Sequence, residues 1–544
     1  MRQPPDNSFV PASLAHSSPT AAPLIAAPLT AERLTASPLT DAPLTDALLR
    51  SWLRCRRRAW LDRHGPPELR RWTAHRALAL QEQVLRFQQL LSERPGRGTA
   101  ACEEGAAGVM GLRLRGLGPQ GSQLEAHPTL LQRVNSPSRW GAHGYRPVLA
   151  RQGRRTTREH RLVLALWARL LAHHQGAPVP HALVLAGEGR RLLQERLTLT
   201  PSLDGQLEDS LVRLEADLQR PTPPPLVNDR KKCTLCCWRL LCDKEAARGG
   251  HLSEVSGVGS KRRDLLLQAG VHTLSDLANA DASRLAEALA MHGEQHRDMV
   301  PQLMAQAQVQ ARGRPERLLA GDGLPELDGA PGLLIYDIES DPDTAEHFLH
   351  GFLILPRPSA GAWPKAPGDS SRFGRYRPLL ALAEHGEARL WQRLAALLAR
   401  YPDWPVLHYG ETEKIQLLRL AERQGVSAAD RAALQQRLVD VHLRLRRHWL
   451  LPVNSYGLKA VANWLGFRWS QPGADGARCL LWWRLWRQWH RPTAPGQARQ
   501  EALPRGRQEL ERIFRYNRDD GLATWAVAHW LLESSDAATP PTAP

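Results

Sequence analysis

Asp337 and Glu339 stand two apart in the run GLLIYDIES, a short, apolar, β-prone stretch that reads as a buried strand. Side chains alternate along a strand, so the two carboxylates face the same side. Held side by side they repel one another unless a cation lies between them, which makes the pair a candidate divalent-metal site. Near the end of the chain, FRYNRDDGLATWAVAHWLL reads as a helix in which Tyr516 and Asp520 are four apart and share one face. Asp519 is expected to point elsewhere, into solvent. Sulfur forms a second set: Cys233, Cys236 and Cys242 are spaced C-x2-C-x5-C, and Cys55 lies far upstream in SWLRCRRRAW. Four thiolates suit either an iron–sulfur cluster or structural zinc. Cys237 is expected to turn away from that set, and Cys102 and Cys479 to be ordinary buried thiols.

These residues need elements to hold them. EHFLHGFLIL reads as a second strand that closes a hairpin with the first, and beyond it strand and helix patterns alternate to about residue 535. Upstream, helical periods start at Leu48 and continue through RALALQEQVLRFQQLL and HRLVLALWARLLAHHQG, with short strands expected at LLQRVN, YRPVLAR and HALVLAG. A Pro-rich break at 221–225 precedes the cysteines, and a Gly/Pro-rich linker follows a compact helical segment. The expected division is a disordered Pro/Ala/Thr-rich tail over 1–45, a cysteine-bearing α/β module over 46–250, a helical hairpin domain over 251–312, a linker over 313–330, an α/β domain over 331–535 and a disordered tail over 536–544.

A chain of 544 residues with 42% hydrophobic residues is globular and too long for one core. No apolar run is long enough to span a bilayer, and the N-terminal SPTAAPLIAAPLT is broken by prolines and lacks a basic flank, so the expectation is a cytoplasmic protein without a membrane partner. The net charge of +17 is carried almost entirely by arginine, whose planar fork of donors suits phosphate oxygens. Nucleic acid, DNA or RNA, is the expected partner. The run LLWWRLWRQWH interleaves Trp with Arg; at helical spacing such a stripe reads first as core packing, and second as a platform for stacking bases.

The C-terminal carboxylates resemble those of the DnaQ-like (DEDD) exonucleases of the RNase H-like superfamily. Asp337 and Glu339 match the first motif, DxE, and Tyr516 and Asp520 match the last, Tyr-x3-Asp. At the middle motif, HYGETE puts Tyr409 where that family carries Asn and Glu413 where it carries Asp, with Glu411 as the alternative carboxylate. The resemblance implies hydrolysis of a phosphodiester by two divalent cations, about 3.5–4 Å apart, that stabilise the attacking hydroxide and the leaving oxygen. Asp337, Glu339, Glu413 and Asp520 would be the metal ligands and Tyr516 would orient the attacking water. All-carboxylate ligation favours Mg²⁺ or Mn²⁺. SYGLKAVANWLGF resembles the helix between the later motifs of the superfamily.

The one-plus-three arrangement of Cys55, Cys233, Cys236 and Cys242 resembles RecB-like PD-(D/E)xK nucleases stapled by a four-cysteine 4Fe–4S cluster, with zinc as the other candidate. Such a nuclease carries Asp ahead of one strand and (D/E)xK on the next. Here those positions hold Thr129, Leu149 and Arg151, and the later Gln-x3-Tyr pattern is Val163 and Trp167. The fold is therefore expected to persist without its catalysis, as a DNA-binding platform. Between the two modules, LSEVSGVGSKRRDLLLQAGVHTLSDLANA matches the helix-hairpin-helix pattern. Its Gly257 and Gly259 would let backbone N–H groups approach a phosphate, and Lys261 and Arg262 would add charge. The whole order resembles a family of RecB-like nucleases, which implies a metal-dependent nuclease, a 3′→5′ exonuclease in repair or processing. The rival expectations are a catalytically silent nucleic-acid-binding protein and an accessory factor of a CRISPR system or mobile element.

Overall fold

The computed structural model describes residues 42–536 except 152, 154, 189–190, 228–229, 343, 345, 360–361, 366–373 and 491–497. The tails expected at either end lie almost wholly outside the described residues. Leu44–Thr45, inside the segment read as tail, already pairs with Leu124–Glu125 as a short parallel strand.

In the first module the chain forms α1 (Asp46–Arg54), α2 (Arg56–His64) and α3 (Ala74–Leu90), then β1 (Gly96–Arg97), β2 (Gly108–Met110), β3 (Leu130–Val134) and β4 (Gly144–Ala150). α4 (Arg158–Gln175) crosses to β5 (His181–Glu188), and β6 (Arg191–Thr198) returns beside it; α5 (Pro201–Leu218) and α6 (Arg239–Arg248) complete the unit. The sheet runs β1 to β6 in sequence order, with β4 and β5 parallel and β3–β4 and β5–β6 antiparallel. The parallel step requires a crossover, and α4 supplies it. Leu162 to Trp167 are buried almost without interruption, so α4 is enclosed by sheet on one side and by α1 and α5 on the other.

A helical module follows, made of α7 (Ser260–Gln268), α8 (Leu274–Ala278), α9 (Ala282–Ala290) and α10 (Val300–Arg312) around Leu252, Leu266, Leu277 and Leu303. α10 docks on the last domain: the Gln306 amide donates to the Leu451 carbonyl (2.9 Å) and accepts from the Tyr456 hydroxyl (3.1 Å). The stretch 313–330 is no free linker, because Leu324 and Leu327 enter the core of the last domain and Glu316–Arg317 pairs with Trp449–Leu450. Prolines and glycines gave a loop signal there, while the two leucines that anchor it are too sparse to show a period.

The last domain contains β7 (Gly332–Asp341), β8 (Glu346–Pro356), β9 (Arg375–Leu380), α11 (Glu387–Arg400), β10 (Val406–His408), α12 (Glu411–Arg423), β11 (Leu438–Asp440), α13 (Leu458–Trp464), α14 (Gly476–His490) and α15 (Ala498–Asp536). Its sheet order is β9-β8-β7-β10-β11, antiparallel on the β8–β9 side and parallel on the other. β7 is the central strand and is apolar on both faces. Leu333 and Ile335 face α15 and Trp525, while Leu334 and Tyr336 face α11 and α12. That two-sided burial explains why GLLIY reads as a continuous apolar run. The strand turns polar at Asp337, where β10 has stopped pairing with it.

Candidate functional site

Three of the predicted carboxylates meet at the end of this central strand. Asp337 and Glu339 come from β7 and Asp520 from α15, and one oxygen from each lies within 4.8 Å of the others. Glu339 and Asp520 are buried. Glu413, on the first turn of α12, is also buried; it stands outside that 4.8 Å group but close enough for its charge to act on Asp337 and for that of Asp520 to act on it. One oxygen of Glu413, Oε2, has no hydrogen-bond partner among the described residues. Glu411, the alternative, is exposed.

Neighbours fix each group. The Asn517 amide donates to Asp337 Oδ2 (2.6 Å), bonds Glu339 as well, and accepts from the Tyr376 hydroxyl (2.8 Å). Opposite Asp337 in the hairpin sits Gly351, and a Cβ there would lie 1.7 Å from the Asn517 side-chain oxygen. A glycine is needed so that Asn517 can reach the carboxylates. Trp469 Nε1 donates to Asp520 Oδ1 (2.6 Å), and the Tyr516 hydroxyl and Cys479 thiol bond Asp520 and Glu339 respectively. Asp519, expected in solvent, is instead buried and accepts from the Ser470 amide (2.9 Å) and hydroxyl (2.6 Å). The helix packs into the domain on more than one side, so a position off the metal face is not thereby exposed.

Burial dominates the electrostatics. Desolvation first, and then the charges of Asp520, Glu339 and Glu413, hold Asp337 well above the usual carboxylate range. Burial likewise pushes Glu339 up to about 8, Glu413 to about 7 and Asp520 to about 6. Lys459 on α13 opposes this at Glu339 and Asp520; its ammonium lies 5.0 Å from the centre of the Tyr516 ring. Tyr516 is driven upward by burial and by the carboxylates, so its hydroxyl stays protonated and donates. A buried oxygen set with one lysine nearby is short of positive charge. The orphaned Glu413 oxygen and the all-carboxylate donors suit a hard divalent ion, and that is the fit the residues offer. Asn517, Lys459 and Trp469 carry no signal of their own in the sequence, Asn517 even though it lies within the Tyr-x3-Asp spacing, and Cys479, expected as an ordinary buried thiol, bonds Glu339; only folding brings the four together.

The Trp-rich run forms α14, and Trp482, Trp483 and Trp486 are buried against Phe348, Tyr516 and, from the first module, Ala74 and Leu78. It is core.

Cys55 lies between α1 and α2, Cys233 and Cys236 on the turn before α6, and Cys242 on α6. Cys55, Cys233 and Cys242 are near enough to act on one another's ionisation, and Cys236 shares the apolar cluster of Trp60, Trp238 and Cys242. Among the described residues no three of these sulfurs lie within 4.8 Å of one another. Cys237, expected to turn away from the set, instead shares a side-chain hydrogen bond with Cys236, which together with Arg58 lowers its thiol. Cys102 and Cys479 are fully buried thiols. Of the residues singled out in the first module, Thr129 Oγ1 donates to the Val148 carbonyl (3.2 Å), Leu149 and Val163 are buried, and Trp167 donates to Asp46 (3.0 Å).

In the helical module Gly257 has φ +92 and Gly259 precedes α7. Gly257 and Lys261 are exposed, while the Arg262 guanidinium folds back to donate to the Gly257 carbonyl (2.7 Å).

Residues 334–532 match the family model of the RNase_H superfamily. The C-terminal domain is an RNase H superfamily domain. Residues 250–289 match the SAM-like helix-hairpin-helix tandem, so the chain joins two kinds of nucleic-acid module. None of the curated proteins matches the chain. No helix among the described residues is long and apolar enough to cross a membrane.

Proposed function

We propose that the protein is a metal-dependent nuclease, a 3′→5′ exonuclease of DNA or RNA acting in the cytoplasm, with its active site on the RNase H superfamily domain alone. The observation that carries this reading is the meeting of Asp337, Glu339 and Asp520 in a buried, cation-poor corner at the end of the central strand. Asp337, Glu339, Asp520 and Glu413 would hold Mg²⁺ or Mn²⁺, which when bound acidifies a water and neutralises charge on the phosphate. The chain's own residues then have distinct tasks. Asn517 orients Asp337 and Glu339, Trp469 and Tyr516 orient Asp520, and Lys459 favours the ionised carboxylates that a cation requires.

The helix-hairpin-helix tandem would hold backbone phosphates without reading sequence, through the exposed turn at Gly257 and Gly259, with Lys261 and Arg262 supplying charge. The first module would be a RecB-like platform that has lost its catalysis, stapled by a 4Fe–4S cluster on Cys55, Cys233, Cys236 and Cys242. Zinc is the alternative metal for the four thiols. The test is Mg²⁺- or Mn²⁺-dependent degradation of a labelled oligonucleotide by the full chain. Degradation that survives Asp337→Ala, or that never occurs with either metal, sinks the reading. The position of Glu413 outside the carboxylate trio favours the silent binder as the second reading, which the same assay separates.

A further inference from the structure

The two sites above leave one charged cluster unused. It gathers where α1 passes the end of β4 and the first turn of α4. Arg50 and Arg54 come from α1, Arg151 from the residue after β4, and Glu159 and His160 from α4. Arg54 grips Glu159 with two bonds, 2.6 and 2.8 Å. Arg50 reaches the same carboxylate only at 3.9 Å and lies over the Trp167 ring at 5.8 Å. Burial outweighs the pull of Glu159 and Asp46 on Arg50, so its charge is poorly compensated. Arg151 is only 9% exposed. It donates to the Gly153 carbonyl, stands 3.9 Å from Glu195, which already accepts from Thr156, and its Nε has no partner among the described residues. The His160 ring lies within the charges of all three arginines. Its Nδ1 accepts from the Thr157 amide (3.2 Å), which leaves the neutral ring's proton on Nε2 as a donor.

We propose that this cluster is a second nucleic-acid contact, which takes a phosphate group of the strand between Arg50, Arg151 and His160. A half-buried Arg50 and a buried Arg151 with spare donors are matched by a tetrahedral oxyanion, which accepts from two forks at once and relieves their mutual repulsion. The first turn of an 18-residue helix adds partial positive charge at the same point. Glu159, bonded to Arg54 and 3.9 Å from Arg50, competes with the ligand for Arg50, as Glu195 at 3.9 Å does for Arg151.

The full chain is titrated in EDTA with a 3′-labelled single-stranded oligonucleotide, with and without a 5′-phosphate, and anisotropy is read across a salt series. Arg50→Gln with Arg151→Gln is expected to weaken binding about tenfold and to reduce the salt slope by about one to two. Glu159→Gln is expected to tighten binding several-fold, an outcome that a folding defect cannot mimic. Weakening for both oligonucleotides assigns an internal diester, and weakening only for the phosphorylated one assigns a terminal phosphate; either upholds the site. Unchanged affinity and slope in the double variant overturn it, as does competition by inorganic phosphate that the double variant abolishes while both oligonucleotides bind as before. No divalent metal enters the measurement, so it fails or succeeds separately from the nuclease reading.

Discussion

Replacing Asp337 by Asn should make the metal-free protein more stable while removing its response to metal. Three carboxylate oxygens lie within 4.8 Å of each other. Two unit charges at that distance repel by roughly 3.5 kcal/mol at an effective dielectric of about 20. The folded protein avoids most of this by retaining protons, at the expense of the free energy of protonating groups that are ionised when unfolded. An Asn of nearly the same shape keeps a partner for the Asn517 amide and removes the most strongly perturbed charge. The net gain in EDTA at pH 8 should be about 1–3 kcal/mol, or some 2–4 °C per kcal/mol in the transition of a domain this size. Differential scanning fluorimetry with EDTA and with excess Mn²⁺ reads both effects. Wild type should gain several degrees with Mn²⁺ and Asp337→Asn little, while oligonucleotide cleavage by the variant falls to background. An Asn variant that melts below wild type in EDTA, or a wild type whose melting ignores Mn²⁺, would refute the account of this corner as a cation-starved site.

The same electrostatics predict a pH trend. Glu339 is raised from 4.5 to about 8 in the folded protein, so the native state binds more protons than the unfolded state between those values. Metal-free stability should therefore fall as pH rises from about 4.5 through 8, and saturating Mn²⁺ should flatten that fall; melting curves across pH measure it. Lys459→Met should shift the acid limb of metal-dependent activity to higher pH, since Glu339 and Asp520 lose the cation that favours their ionised forms. A pH–rate profile identical to wild type counts against that role. Gly351→Ala should drive Asn517 from the carboxylates, costing about 1–3 kcal/mol by overpacking and lowering turnover roughly ten- to a hundredfold, read by melting and single-turnover cleavage.

How much of this was legible in the sequence follows from how locally each feature is encoded. Asp337 and Glu339 announce themselves because a strand puts alternate residues on one side, and Tyr516 and Asp520 because four residues make a helical turn. The hairpin of β7 and β8 and the three strands around residues 130–186 were readable for the same reason. Glu413 was reachable only through its position relative to a known motif, as nothing in HYGETE alone marks it. Asn517 sits between two predicted residues yet carries no signal, because its role depends on Gly351 leaving room across the sheet. Asp519 misled, since helical periodicity identifies one face but says nothing of how many faces are covered. Leu324 and Leu327 were masked by the prolines and glycines around them.

The packing of α3 against α14 bears on how this chain divides. Ala74 and Leu78 share an apolar cluster with Trp482, Trp483 and Tyr516, and the backbone of Arg71 just before them donates to the Cys237 carbonyl (2.9 Å). The motifs mark three modules, but the hydrophobic surface is not partitioned along their borders. A gene fragment cut at residue 331 would leave tryptophans of α14 facing water, on the same helix whose Cys479 thiol bonds Glu339. Truncation would thus disturb the second half of the chain by uncovering it, and a loss of activity in such a fragment would report missing shelter before it reported missing chemistry.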